Sequence, residues 1–425
     1  MRRSAAFLVC ALLATSLSGA QQADLSLSTR LERLPHVKSI EPFRGGYHLT
    51  FDQPVDHANP SGPHFSQQVY VMFTGDNNPV VLNTEGYSTN GPQGSEVRRL
   101  LGKANTVTVE HRYFGKSIPE PCDWKQLTVK NAADDMHAIV TSLKQVFKGK
   151  WVSTGASKGG QTALYYKTFY PHDVDATVAY VAPINLGQED PRINQFMATV
   201  GDEATRKKVK DFQIALLKRE DEVLAYLKPD PSKYRLGVAK AYEYGVLEYP
   251  YAFWQYGSYV KADLIPAPDA PVADLAKAYN AVNSMFYYSD AGIKMFEAFM
   301  YQAYTEVGYY NYDITDFKPY LKANPNPTNM DLCPLGTKDT IIYNPATLAN
   351  VFHFLQYEAQ NVIYIYGETD AWSSTQMTLI GRTNSVKVVV KGAWHNADVK
   401  LASPEQKAEI YGALEKWMGV KVVRE

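Results

Sequence analysis

A glycine-flanked serine set between a strand-like run and a helix-like run constrains this chain more than any other feature. Gly155-Ala156-Ser157-Lys158-Gly159-Gly160 directly follows the apolar run Trp151 to Thr154 and directly precedes a helical stretch that begins near Gly160. A strand that turns sharply into a helix at a strained residue needs glycine on either side, because side chains two before and two after the serine would collide. The hydroxyl of Ser157 then projects from the turn, and the N–H of Lys158 points to where an oxyanion would form.

The flanking segments supply the sheet that such a turn requires. Gly46 to Phe51 and the alternating run Phe65 to Phe73 read as strands, separated by the turn-rich Asn59-Pro60-Ser61-Gly62-Pro63. Pro79 to Leu82, Ala104 to Val109, Trp151 to Thr154 and Ala176 to Val181 are too short for helices and rich in valine, as buried parallel strands are. Helix-like stretches at Ser95 to Leu101, Ala132 to Phe147 and Gly159 to Tyr170 provide the crossovers. From 185 to 360 the pattern changes to long, aromatic-rich helical stretches, including Glu203 to Leu227, Ala273 to Phe286 and Ser289 to Tyr304. Strands return at Asn361 to Tyr366 and Val386 to Val390, and Pro404 to Met418 closes the chain as an amphipathic helix. The expected architecture is an α/β-hydrolase fold with a mainly parallel sheet, formed by 21–184 and 361–425, and an inserted helical cap over 185–360.

A serine hydroxyl is a poor nucleophile at neutral pH until a nearby base removes its proton, so the turn predicts a histidine elsewhere. In this fold the order is serine, acid, histidine, with the last two in loops after late strands. Of the nine histidines, His395 lies in the loop Lys391-Gly392-Ala393-Trp394-His395-Asn396 after the strand Val386 to Val390, whereas His353 falls on a helical run. His395 is the predicted base. The acid should end the preceding strand, where Tyr366-Gly367-Glu368-Thr369-Asp370-Ala371-Trp372 offers two carboxylates. Asp370 is the choice, with Glu368 as the alternative. The carboxylate must hold the imidazole tautomer that presents its other nitrogen to Ser157.

A second oxyanion donor comes from the loop after an early strand, here the N–H of Gly86 or Tyr87. Glu85 beside them either serves the scaffold or meets a positive group of the substrate. Trp372 and Trp394, next to the acid and the histidine, are candidate substrate contacts. No metal or organic cofactor is required by this chemistry.

Composition narrows the partners. Lys and Arg number 43 against 44 Asp and Glu, for a net charge of -1, so no broad field selects nucleic acid. Arg2 and Arg3, the apolar stretch Ala5 to Leu17 and Ser18-Gly19-Ala20 read in order as an export signal over 1–20, cut after Ala20, which implies a periplasmic or secreted protein. No later run reaches the ~18 apolar residues of a membrane span. Removing that segment leaves Cys122 and Cys333, either one disulfide or two free thiols.

Four separated blocks carry a family resemblance: Phe51-Asp52-Gln53-Pro54-Val55-Asp56-His57 with Phe65-Ser66-Gln67-Gln68, then Glu110-His111-Arg112-Tyr113-Phe114-Gly115-Lys116-Ser117, the serine turn, and Asp370-Ala371-Trp372. The chain resembles the post-proline serine exopeptidases, broadly the prolylcarboxypeptidase and dipeptidyl peptidase family. It departs from them at Ala371, where proline is usual, and at Lys158, where tyrosine is usual. The serine turn through Gln161-Thr162-Ala163, with Phe169-Tyr170-Pro171 and Asp173 to Pro183, is more similar to the secreted bacterial prolyl tri- and tetrapeptidyl aminopeptidases. That resemblance implies a triad of Ser157, Asp370 and His395, and a peptide substrate with a free N-terminus cut after a proline three or four residues in. Glu110 and Arg112 are expected to pair behind the turn and brace the sheet. Rival readings on the same residues are an esterase or lipase, and an inactive surface binding protein.

Overall fold

Runs too short and too β-branched for helices become strands of one nine-stranded sheet in the computed structural model, which describes residues 25–424. The expected export segment, 1–20, lies outside the described residues. In chain order the strands are β1 (Val37–Phe43), β2 (Gly46–Pro54), β3 (His64–Met72), β4 (Val80–Thr84), β5 (Asn105–Val109), β6 (Trp151–Ala156), β7 (Ala176–Tyr180), β8 (Val362–Gly367) and β9 (Val386–Val390). Their spatial order is β1-β2-β3-β5-β4-β6-β7-β8-β9. β1 to β3 form an antiparallel meander, β3 pairs antiparallel with β5, and all later pairings are parallel. This is the α/β-hydrolase fold that the sequence predicts.

The central strands β4, β5, β7 and β8 are buried at every position, because helices cover both faces. The helices beside the sheet are α1 (Leu27–Glu32), α2 (Glu96–Leu100), α3 (Val129–Leu143) and α4 (Lys158–Phe169). Alternation along β4 sends Val80 and Leu82 to one face, with Met136, Ile139 and Leu143 of α3, and Val81 to the other. Each such fully buried aliphatic side chain contributes roughly 1.5–3 kcal/mol.

Between β7 and β8 the chain forms α5 (Pro191–Met197), α6 (Glu203–Lys218), α7 (Glu220–Leu227), α8 (Val238–Gln255), α9 (Val272–Val282), α10 (Asp290–Gln302) and α11 (Pro345–Tyr357). The run read as one helix from Glu203 to Leu227 is two, broken at Arg219, whose backbone leaves helical geometry at φ -108 and ψ 25. This segment packs around its own core, rich in buried tyrosines such as Tyr242, Tyr244, Tyr279 and Tyr310. Trp372, after β8, joins the same core and ties it to the sheet.

Helix α8 contains Pro250, which cannot donate to the carbonyl of Val246. The Gln213 side chain of α6 supplies that missing donor, 2.7 Å from Val246 O. The last helix, α12 (Pro404–Met418), starts with a capping box in which Ser403 and Gln406 satisfy each other's main-chain N–H. Its Ile410 and Leu414 cover the Val81 face of the sheet.

Candidate active site

Ser157 sits at the end of β6 with φ 55 and ψ -126, a left-handed conformation that costs a non-glycine residue about 1–3 kcal/mol. Two main-chain bonds hold it there: its N–H donates to Tyr180 O and its carbonyl accepts from Gln161 N–H, both at 2.9 Å. The flanking glycines are there for close approach. A Cβ on Gly155 would lie 2.4 Å from the carbonyl carbon of Gly159, and one on Gly159 would lie 2.6 Å from Thr84 O. Thr84 Oγ1 donates to Thr154 O and Gly159 O at 3.2 and 2.9 Å, fastening β4 to the turn.

Asp370 and His395 meet across the ends of β8 and β9. His395 Nδ1 lies 2.9 Å from Asp370 Oδ1. An ionised carboxylate can only accept, so Nδ1 carries the proton and Nε2 is the nitrogen left to act as a base. Asp370 is fully buried, and its second oxygen accepts from Ser373 N–H at 3.1 Å and Ser373 Oγ at 2.6 Å. The other carboxylate, Glu368, is exposed and accepts from Gly392 N–H at 2.7 Å, so it braces the histidine loop from outside. Ser157 and His395 are not hydrogen-bonded to each other. His395 lines a cleft with the Ser157 neighbours Gly155, Ala156 and Gly159, whereas Ser157 itself also faces the cap. Catalytic hydrogen bonds of unliganded enzymes are often long and tighten only around substrate.

The cavity on the cap side of Ser157 encloses about 1110 Å³ of space, its open mouth included. Its wall is aromatic, with Tyr87, Tyr309, Tyr310 and Trp372, and it carries two ionisable groups of opposite sign, Lys158 and Glu248. Lys158 lies over the faces of Tyr87 and Phe114, its Nζ 5.9 and 5.4 Å from the ring centres, and burial lowers its ammonium to about 7. Burial raises the Glu248 carboxyl to about 7, against the opposing pull of hydrogen bonds from Tyr310 and Tyr312. A Cβ on Gly86 would lie 2.6 Å from Lys158 Cβ, so the loop after β4 rests against the serine turn. The amides of Gly86, Tyr87 and Lys158 donate to no protein acceptor among the described residues. No cluster of three or more His, Cys, Asp or Glu that could hold a metal occurs among the described residues.

A strained serine on a strand-to-helix turn that faces a pocket, with an aspartate-bonded histidine lining the cleft beside that turn, can support acyl transfer. The family model described as PS-10 peptidase S37 matches residues 21–424. The chain belongs to the peptidase S37 family. It is therefore a serine peptidase on an α/β-hydrolase fold. Prolyl tri/tetrapeptidyl aminopeptidase from Streptomyces mobaraensis is 32% identical over 420 residues, spanning 94% of this chain and 86% of that protein. Lysosomal Pro-X carboxypeptidase from Bos taurus is 33% identical over 93 residues, 19% of each chain. Among solved structures, proline iminopeptidase from Mycobacterium smegmatis covers 87% of this chain and 98% of its own at 15% identity and TM-score 0.41. The kinship read from the sequence motifs thus extends along nearly the whole chain for the aminopeptidase and along shorter stretches for the carboxypeptidase branch.

Within this S37 peptidase the remaining candidate residues fall in different places. Trp372 stacks on Tyr309 with ring centres 5.7 Å apart and lines the Ser157 cavity. Trp394 instead packs against Gly257 and Tyr259 of the cap, outside that wall. Glu85 lines the cleft of His395, and burial, with a smaller push from the Glu110 charge, raises its carboxyl to about 7. The expected alternative of a Cys122–Cys333 disulfide is not realised. Cys122 is exposed and Cys333 is enclosed in the cap core, so both are free thiols, and burial pushes the Cys333 thiol up to about 12.

The block from Glu110 to Ser117 braces the sheet, but not by the expected pairing. Arg112 forks onto Asp135 at 2.7 and 2.8 Å and donates to the carbonyls of Pro54, Val55 and Gln126. Glu110 turns the other way and accepts from Thr89 N–H, Lys116 N–H and Ser117 Oγ. Each buried charge is thereby satisfied separately, as burial demands. Nothing local in the sequence marks Glu248: it lies on a helix whose unusual feature is an internal proline, among many other acidic residues of 185–360.

Proposed function

We propose that this S37 peptidase is an exported exopeptidase that cleaves after proline and releases tri- or tetrapeptides from free N-termini. Ser157 Oγ attacks the carbonyl carbon of the scissile bond as His395 Nε2 takes its proton. Asp370 keeps the imidazole in the Nδ1–H tautomer and stabilises the imidazolium formed. The amides of Lys158 and of Gly86 or Tyr87 receive the negative charge that develops on the carbonyl oxygen, a contribution of about 2.7–4 kcal/mol per donor in enzymes of this type. Collapse of the tetrahedral intermediate breaks the C–N bond, and the leaving amine takes the proton from His395. Water deprotonated by the same imidazole then hydrolyses the acyl-enzyme.

The observation that carries this reading is the 2.9 Å contact between His395 and the buried Asp370, beside a serine held at positive φ. Supporting the substrate class are the similarity to the Streptomyces mobaraensis aminopeptidase over 94% of this chain and an aromatic cavity wall suited to a pyrrolidine ring. Residues 185–360 act as the lid that bounds this cavity, which favours short chain ends over the interior of a folded protein. The export reading rests on the basic, apolar and cleavable parts of 1–20.

Digestion of a library of proline-containing peptides, read by mass spectrometry, tests the proposal. The expected products are tri- and tetrapeptides ending in proline and taken from free N-termini. Cleavage at internal sites regardless of the chain end, or ester turnover without peptide release, contradicts it.

A further inference from the structure

Among the described residues, Glu248 is the one carboxylate on the wall of the cavity that Ser157 faces. It lies on α8, in the part of the wall furnished by the cap. Two phenols hold it in place: Tyr310 and Tyr312 both donate to its Oε2, the latter at 3.0 Å. Its Oε1 takes no hydrogen bond from the protein, and neither oxygen forms an ion pair among the described residues. Glu243, five residues earlier on the same helix, shows the contrast. Its two oxygens accept the main-chain N–H groups of Lys322, Ala323 and Asn324 at 2.6 to 2.9 Å, so it is fully engaged by the scaffold.

A partly buried carboxylate with one oxygen free of protein donors, set in an aromatic wall, is placed to pair with an incoming cation. Burial in the aromatic wall raises the Glu248 carboxyl, and the phenols of Tyr310 and Tyr312 only partly oppose that rise. The other ionisable group on the wall, Lys158, directly follows the nucleophile and lies over Tyr87 and Phe114. A peptide entering with its ammonium toward Glu248 gains attraction there and avoids repulsion at the serine end. Entry in the opposite sense meets neither advantage.

Resting on the aminopeptidase reading above, we propose that Glu248 binds the α-ammonium of the substrate, with Tyr310 and Tyr312 fixing the carboxylate. The anchor then selects free N-termini, and its span to Ser157 sets how many residues are released.

Steady-state kinetics on Ala-Ala-Pro p-nitroanilide and its N-acetylated counterpart test the proposal in wild type, Glu248→Gln and Glu248→Asp. Wild type is expected to prefer the free amine. Glu248→Gln should lose about 100-fold in kcat/KM on the free amine, mostly through KM, as when one partner of a buried ion pair is removed. Its rate on the acetylated substrate should stay within about threefold, which also shows that the fold and the nucleophile are intact. Glu248→Asp, which keeps the charge, should retain the preference with a smaller loss. A wild type that requires the amine, with a Glu248→Gln variant that still requires it, overturns the anchor and leaves the aminopeptidase reading standing. A wild type indifferent to the amine removes both.

Discussion

Gln255, the last residue of α8, accepts the main-chain N–H of His395 at 3.3 Å. The helix that carries Glu248 therefore ends on the loop that carries His395, the proposed base. Two residues of the following segment add to the grip: Tyr259 OH donates to Gly392 O at 2.6 Å, and Gly257 lies flat against Trp394, where a Cβ would come within 2.6 Å of the indole. Residues 185–360 thus line the cavity that Ser157 faces and also contact the histidine loop, which we propose they help to position.

Tyr259→Phe tests that second role. Loss of one hydrogen bond of about 0.5–1.5 kcal/mol should loosen the loop and lower kcat by about 2–10-fold, with KM little changed. Reaction of Ser157 with a fluorophosphonate should slow in parallel. An unchanged labelling rate contradicts the coupling.

Ser373 is the polar support of Asp370, its hydroxyl 2.6 Å from Oδ2 and accepting Gly367 N–H at 3.1 Å. Ser373→Ala removes a hydrogen bond to a buried charge, worth about 1.5–3 kcal/mol. Urea unfolding should report a loss of that size, together with reduced kcat. A variant as stable as wild type would show that the carboxylate does not depend on this hydroxyl.

The bond from Gln213 to Val246 O predicts a stability effect far from the chemistry. Gln213→Leu leaves the carbonyl opposite Pro250 buried without a donor, a cost of about 1–3 kcal/mol. Thermal unfolding should show a lower Tm with kinetic constants near wild type. An unchanged Tm would mean that the carbonyl finds another donor.

Glu85 gives a pH-dependent prediction. Its folded carboxyl is raised to about 7, by burial first and by Glu110 second, from a model-peptide value of 4.5. The native state then holds a proton that the unfolded state releases, so the stability linked to this group is present below about 4.5 and lost as pH rises through about 7. Glu85→Gln should therefore be more stable than wild type at pH 8, by up to about 3 kcal/mol, and nearly equal to it at pH 4. An equal difference at both pH values contradicts the assignment.

Much of the sheet could be read from the chain because buried parallel strands leave unbroken valine-rich runs, as in β4, β5 and β9. β1 left no such trace. It is an edge strand whose exposed positions include Lys38, Ser39, Glu41 and Pro42, residues that blunt a free edge and hide the strand from any apolar pattern. The serine turn was legible because its glycines answer steric demands within a few residues. The positions of Asp370 and His395 followed from the order of strand ends in this fold. Side chains that depend on packing between distant segments were not legible: Arg112 chose Asp135 over Glu110, Trp394 turned to the cap, and Glu248 became a cavity residue only once α8 was folded over Ser157.

The account stands on Ser157, His395 and Asp370 acting as one unit, and a mutant cycle on kcat for Ala-Ala-Pro p-nitroanilide tests that most directly. Ser157→Ala and His395→Ala should each cost about 10⁶-fold, and Asp370→Ala about 10⁴-fold. The triple variant should be no worse than Ser157→Ala alone, because removing one member already disables the others. Losses that multiply from single to triple variant, or a His395→Ala enzyme close to wild type, would contradict it.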